Sequence, residues 1–293
     1  MGDRVLFVGP GRTGLALGSA LWDAGALDAL AYCGRRPEPP AHPMFGDGRA
    51  EYVFGLRQPV PGTTAVFLTV PDDVLPEIAH ALAGQGESPP GCVAFHCSGA
   101  VSVDVLTPLH ARGYRVGSLH PLQAIAHPIS GAERLRGSFF AVAGEAEATA
   151  VGRRLVAELG GTPLAIPATR RATYHAAAVV ASNYLPVLLA AAARLLVHAG
   201  VDEDEAVPAL LPLMRGTLDN IEELGLAAGL TGPISRGDIE TVRLHLRSLP
   251  DREARLYRDL GREAIELADA RGLDDDTVAS LRELFAAEVE AGA

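Results

Sequence analysis

"RVLFVGPGRTGLALGSALWDAG", Arg4–Gly25, is the stretch on which the reading of this chain turns. Val5–Gly9 is a short apolar run ending in glycine, and from Thr13 to Ala24 the apolar residues recur at helical spacing. A strand, a glycine-rich turn and a helix therefore follow one another. The turn holds Gly9, Pro10, Gly11, Arg12, Thr13 and Gly14, a Gly-x-Gly-x-x-Gly pattern. Alone, that pattern is weak evidence. Between a strand and a helix, each glycine has a task. Gly9 makes the tight turn, Gly11 lets a pyrophosphate approach the backbone, and Gly14 lets helix and sheet pack closely. The unpaired N–H groups of the helix N-terminus then face the phosphates. A structural turn without ligand is the alternative.

The end of the next strand discriminates between dinucleotides. A site for NAD usually places Asp or Glu there to hold the ribose hydroxyls. Here Leu27–Cys33 runs into "AYCGRR", so Gly34, Arg35 and Arg36 occupy that place. Two guanidiniums suit a 2′-phosphate, because each offers a planar, permanently charged fork of donors. NADP is the expected cofactor, with a solvated basic turn as the alternative. Thr69, Val70 and Pro71, which end the third apolar run, are expected near the nicotinamide side.

Outward from this stretch the first half alternates strands and helices. "TAVFLTV", "GCVAFHCSGA", "YRVGSLHP" and "GSFFAVAG" read as strands, and "DDVLPEIAHAL" and "AEATAVGRRLVAELG" as helices. The Pro-rich "RRPEPPAHPMFGDG" reads as a surface loop. Such alternation predicts a doubly wound parallel sheet covered on both faces, an α/β fold of Rossmann type. After "TPLAIP" only helical periodicity remains. The predicted domains are 1–167, dinucleotide-binding, and 168–293, all-helical, for substrate and dimerisation. The segment Ala176–Val197 is apolar enough to raise the question of a membrane span. Ser182, Asn183, Pro186 and Arg194 interrupt it, so a helix buried inside the protein is expected.

Composition narrows the partners. A net charge of −11 disfavours a general nucleic-acid or anionic-membrane binder, so an anionic ligand needs a local cluster of arginines. Cys33, Cys92 and Cys97 form no paired framework and no Cys-x-x-Cys, which suits a reducing cytoplasm and gives no zinc signature. None of the nine histidines falls in a metal-binding spacing, so no metal is expected. The chain enters a strand at once, without the pattern of a secretory leader.

With these residues in view, the chain resembles the β-hydroxyacid dehydrogenase-like superfamily. That group includes ketopantoate reductase, prephenate dehydrogenase, pyrroline-5-carboxylate reductase and 6-phosphogluconate dehydrogenase. "HCSGA", "GSLHPLQ", "YHAAAVVASNYL" and "LTGPISRGD" are similar to a largely uncharacterised family of Rossmann-like oxidoreductases with a C-terminal domain of unknown function. The resemblance implies a Rossmann domain followed by a helical one, often dimeric. It implies a role for His120, counterpart of the prephenate dehydrogenase histidine that contacts the reacting hydroxyl, and for Ser98, which meets that histidine. It also implies roles for His175 and Asn183, placed where ketopantoate reductases have a lysine and an asparagine. Histidine in place of lysine departs from the pattern and leaves the same reaction in question.

Hydride transfer to C=O or C=N needs a proton donor beside the developing charge, and histidine suits that task. His175 is the expected donor, with His120 positioning the substrate; each has a structural reading as a hydrogen-bonded histidine. His96 is expected in the core. At 100° per residue His175 and Ser182 fall within about 20° of one another and Asn183 about 80° away, which would line an elongated cleft. Ser235 and Arg236 are expected to receive a substrate carboxylate or the cofactor ribose. Arg236, Arg243 and Arg247 share a face if their helix extends that far back, with an ion-pair ladder to Glu240 as the plainer account. The expected activity is an NADPH-dependent reduction of a small anionic 2-oxo acid or imine. The alternatives are a dehydrogenase of a prephenate-like cyclic acid and a non-catalytic NADP(H) sensor.

Overall fold

Residues 2–286 are described by a computed structural model. The chain forms two compact units, Met1–Ser182 and Asn183–Ala293. The first is built on eight strands: β1 (Asp3–Val8), β2 (Leu27–Gly34), β3 (Glu51–Phe54), β4 (Ala65–Leu68), β5 (Val93–His96), β6 (Arg115–Pro121), β7 (Phe139–Gly144) and β8 (Thr162–Leu164). They lie in one sheet in the order β3-β2-β1-β4-β5-β6-β7-β8. Helices α1 (Arg12–Asp23), α2 (Leu75–Ala83), α3 (Pro128–Leu135) and α4 (Ala146–Glu158) connect them. The chain winds one way from β1 and the other way from β4. The crevice between those two strands, at their carboxyl ends, is where open α/β sheets bind ligands.

Both faces of the central strands are apolar, as a sheet covered on each side requires. Phe7, Phe67 and Phe95 sit opposite one another in register on β1, β4 and β5, with Tyr32 of β2 beside Phe7. Their rings stack at 5.0–5.1 Å between centroids. One residue along, Leu6, Val66 and Ala94 point to the opposite face and meet Leu75 and Leu82 of α2. The expected α/β sheet is present, with two differences. β7 pairs antiparallel with β6, because the connection through α3 returns the chain instead of crossing over. The Pro-rich stretch is followed by β3, an edge strand of four residues, too short to stand out by period.

After β8 the described residues hold helices only, as expected: α5 (Arg171–Ala178), α6 (Leu185–His198), α7 (Glu203–Leu224), α8 (Ile239–Ser248), α9 (Asp251–Asp269) and α10 (Asp275–Ala286), with short turns between them. The last strand ends at Leu164, and residues 168–182 belong to the first compact unit. Val242, Leu246, Ile265, Val278, Leu281 and Phe285 make a small core in the second.

The expectation of a buried apolar helix is overturned. Ala168–His198 is long and apolar enough to cross a membrane by length and composition, yet only 6% of its most apolar window is buried. Val180 is 61% exposed and Val187 59%. Apolar composition demands a cover; within one chain this helix has little. Nor is it a single α-helix. Val179–Asn183 form a π turn, and α6 restarts at Leu185 with Pro186 in its first turn, where a missing N–H breaks no bond. The 100° count from His175 to Ser182 and Asn183 therefore fails. In the second unit Arg194 of α6 donates to Glu253 of α9 at 2.9 Å and holds that carboxyl below the usual range.

Candidate active site

At the crevice the glycine loop does what its spacing predicts. Gly9 turns the chain with φ +98°, a backbone conformation that L side chains rarely adopt. Its carbonyl accepts a hydrogen bond from the Thr69 hydroxyl at 2.7 Å, tying the ends of β1 and β4 together. A Cβ on Gly14 would strike that same hydroxyl, so α1 can approach the sheet only with glycine there. A Cβ on Gly11 would meet nothing nearer than 3.7 Å, which leaves its outer side open to a ligand. Gly11 caps α1 without a side-chain partner, and Arg12 and Thr13 follow in the first turn. The helix N-terminus keeps free N–H groups.

A cavity of about 1310 Å³ opens over this loop. Gly9, Pro10 and Gly11 form one wall, Gly34, Arg35 and Arg36 a second, and Thr69, Val70 and Pro71 a third. Both arginines are exposed and make no ion pair among the described residues. Tyr52 of β3 donates to the Arg36 carbonyl at 2.5 Å and fixes the turn that carries them. Glu38 also lines the cavity, an acid the sequence reading did not weigh.

Beside this cavity a polar cluster forms at the ends of β5 and β6. Asp72, next to the wall residue Pro71, accepts from the Ser98 hydroxyl at 2.7 Å. That hydroxyl in turn accepts from the N–H groups of Ala100 and Val101. The Ser98 N–H donates to His96 Nδ1 at 3.2 Å, so the His96 proton sits on Nε2, which is buried without a partner. His96 lies in the core, as expected, and burial, with the Arg171 charge adding, pushes its pKa down to about 3.

From α5 three side chains reach the same place. Arg171, 3% exposed, donates from Nη1 to Ser118 Oγ at 2.9 Å and from Nη2 to the Ser98 carbonyl at 2.8 Å. It meets no carboxylate among the described residues, and its Nε is buried unpaired. The Tyr174 hydroxyl lies 2.8 Å from His120 Nδ1. His175 stands edge-on to His120, ring centroids 6.2 Å apart. Gly99 separates the two rings: a Cβ there would lie 2.6 Å from His175 Cδ2 and 2.9 Å from His120 Nε2. Burial, then the nearby His175 and Arg171, push the His120 pKa down to about 4, with Asp72 opposing. His120 is a neutral imidazole at pH 7.

Of the residues singled out in the sequence, the first unit brings together Ser98, His120 and His175. Asn183 opens the second unit, which also carries Ser235 and Arg236. The Ser235 hydroxyl is occupied locally, donating to the Gly232 carbonyl at 3.0 Å. The shared arginine face is not formed. Asp238 caps α8 by accepting from the Thr241 N–H at 3.1 Å, so Arg236 precedes the helix in a short 3₁₀ turn. Arg243 pairs with Glu240, as the plainer account has it. Arg171, Tyr174 and Asp72 were missed. Arg171, Tyr174 and His175 stand at i, i+3 and i+4, one helical face, and that spacing was the available signal.

Residues 4–121 match a Rossmann-like domain, and residues 138–264 match a domain of unknown function, DUF2520. The pairing is the one implied by the resemblance to an uncharacterised Rossmann-like family. No curated protein matches the chain. Among solved structures, protein TM1727 from Thermotoga maritima superposes with a TM-score of 0.69 at 22% identity, over 91% of this chain and 99% of that one. A Plasmodium falciparum pyrroline carboxylate reductase with NADP bound gives 0.61 at 11% identity, over 97% and 98%. A reductive aminase from Aspergillus terreus in complex with NADPH and ethyl-5-oxohexanoate gives 0.54 at 15%, over 98% and 93%. At these identities the likeness establishes the fold.

Proposed function

We propose that this chain, a Rossmann-like domain followed by a DUF2520 domain, is an NADPH-dependent oxidoreductase that reduces a small anionic 2-oxo acid or an imine. The observation that carries the proposal is the joining of two sites within one unit. Pro71 and Asp73 line the cavity over the glycine loop, and Asp72 between them accepts from Ser98 of a cluster that holds two histidines and an arginine without a counter-charge. Neighbours of the same fold are solved with NADP or NADPH bound, which supports that cofactor.

The residues present fit the dinucleotide. Gly9 makes the turn and Gly11 leaves room for a pyrophosphate, the α1 N-terminus supplies free donors, and Arg35 and Arg36 offer unpaired charge to a 2′-phosphate. When bound, NADPH supplies the hydride. The chain's own part is to hold the substrate and deliver a proton. Arg171, though buried, gives the cluster a positive field that favours a substrate carboxylate and the negative charge developing on the reduced atom. Ser98, with both lone pairs engaged by backbone N–H groups, is held rigidly beside it.

A second copy of the chain is the proposed cover for the apolar helix. Pro186, the ion pair of Arg194 with Glu253 and the acidic start of α7 at Glu203–Glu205 oppose a membrane span and favour a protein partner. All three cysteines are free thiols, which suits the proposed cytoplasmic location. The functional reading is tested by incubating the protein with NADPH and a panel of 2-oxo acids and cyclic imines. Loss of 340-nm absorbance that depends on both protein and substrate is expected. NADPH binding without turnover across the panel contradicts the reductase and supports a sensor.

A further inference from the structure

The sequence favours His175 as proton donor; the geometry points to a different route. We propose that Tyr174 works through His120, donating a hydrogen bond to Nδ1 so that the imidazole presents Nε2–H to the substrate, and resupplying the proton that Nε2 gives up. The proposal rests on the reductase reading above.

Three observations carry it. The Tyr174 hydroxyl lies 2.8 Å from Nδ1 and has no other hydrogen-bond partner among the described residues, so its proton has one acceptor. A proton on Nδ1 would leave that hydroxyl proton without a protein acceptor among the described residues, a wasteful arrangement for a half-buried phenol. The opposite nitrogen, Nε2, makes no hydrogen bond among the described residues and lies against Gly99, where the missing Cβ keeps the approach clear. Arg171, three residues before Tyr174 on the same face of α5, places a positive charge beside the phenol. Burial raises the Tyr174 phenol pKa above its ordinary value, and Arg171 offsets part of that rise.

The step balances without charging the imidazole. As hydride reaches the carbonyl carbon, negative charge collects on its oxygen. The Nε2–H bond breaks and the new O–H bond forms; the Tyr174 O–H bond breaks and Nδ1–H forms. His120 changes tautomer and remains neutral, as its low basicity requires. To reset, Nδ1 returns its proton to the tyrosinate beside Arg171 and Nε2 takes one from water, which restores the first tautomer and leaves hydroxide to the solvent. An ordinary phenol ionises near pH ~10 and an alcohol near water's own ~16, which favours transfer to the alkoxide, and burial of Tyr174 narrows that gap. An imine substrate takes the proton on nitrogen in the same way. The groups facing His120 are Tyr174, His175 and Arg171 from α5, Asp72 before α2 and His96 of β5.

The test pairs a spectroscopic readout with kinetics. In ¹⁵N-histidine-labelled protein, with the His120 signals assigned by their loss in His120→Gln, Nε2 is expected protonated and Nδ1 bare. Tyr174→Phe is expected to shift the tautomer population and to lower kcat by about 10²–10⁴ with NADPH affinity unchanged. A protonated Nδ1 in the unsubstituted protein overturns the proposal, and so does full kcat in Tyr174→Phe. If the unsubstituted protein binds NADPH but turns over nothing, the reductase reading fails and the relay with it. The NMR result then still decides, separately, whether Tyr174 fixes the tautomer. The spectrum of the unsubstituted protein also keeps the test open should Tyr174→Phe fail to fold.

Discussion

The apolar strand β4 and the apolar helix α6 are alike in composition and opposite in fate. Every residue of β4 is buried, with Phe67 stacked between Phe7 and Phe95. In α6 only Ala191 is buried, and Val187 and Val197 lie open. Hydropathy states that a surface will be covered. It does not state by what. In a sheet the neighbours are other strands of the same chain, while a long helix can wait for a second molecule.

Substitutions in the two regions separate these cases. Phe67→Ala removes a ring stacked on both sides in a core with no solvent route, and should lower stability by about 3–5 kcal/mol in urea unfolding. A loss below about 1 kcal/mol would mean that the Phe ladder is not the centre of the sheet's core. The next effect is electrostatic. His96 is held neutral by burial, so its pKa falls from the ordinary 6.5 to about 3. Between those values the unfolded chain binds a proton that the native chain refuses, and stability falls as pH falls. From pH 7 to pH 5 this amounts to about 2 kcal/mol. His96→Asn, whose Oδ1 can still accept from the Ser98 N–H, should flatten that part of the pH dependence; an unchanged slope would place the titration elsewhere. Smallest in folding energy is Val187→Asp on the open helix, expected within about 0.5 kcal/mol for the isolated chain. Its consequence should appear in light scattering instead, as a dimer at micromolar concentration turning to monomer. A monomeric unsubstituted protein would remove the second copy as the cover.

The same contrast explains what could be read beforehand. The glycine loop, the Arg35-Arg36 turn and the alternation of strand and helix are local signals, each interpretable within about ten residues. β3 and the antiparallel direction of β7 were not legible, because a four-residue edge strand has little period and direction depends on a distant connection. At the cluster, Ser98, His120 and His175 were found as residue types with chemistry. Arg171 was passed over because a lone arginine at a helix start reads as a solvated charge; only the fold reveals that it is buried against Ser98 and Ser118. Tyr174 was hidden for the same reason, its partner lying 54 residues away. The burial of the long helix was misjudged because apolarity was equated with the interior of a single chain.

The central claim is that the cavity over Gly9–Gly14 holds NADPH through Arg35 and Arg36, and titration calorimetry with NADPH and NADH tests it most directly. The account predicts tighter binding of NADPH, and an Arg35→Ala/Arg36→Ala variant that loses about 1–3 kcal/mol of that preference while keeping its affinity for NADH. Equal affinity for the two dinucleotides, or a preference unchanged in the double variant, would contradict it.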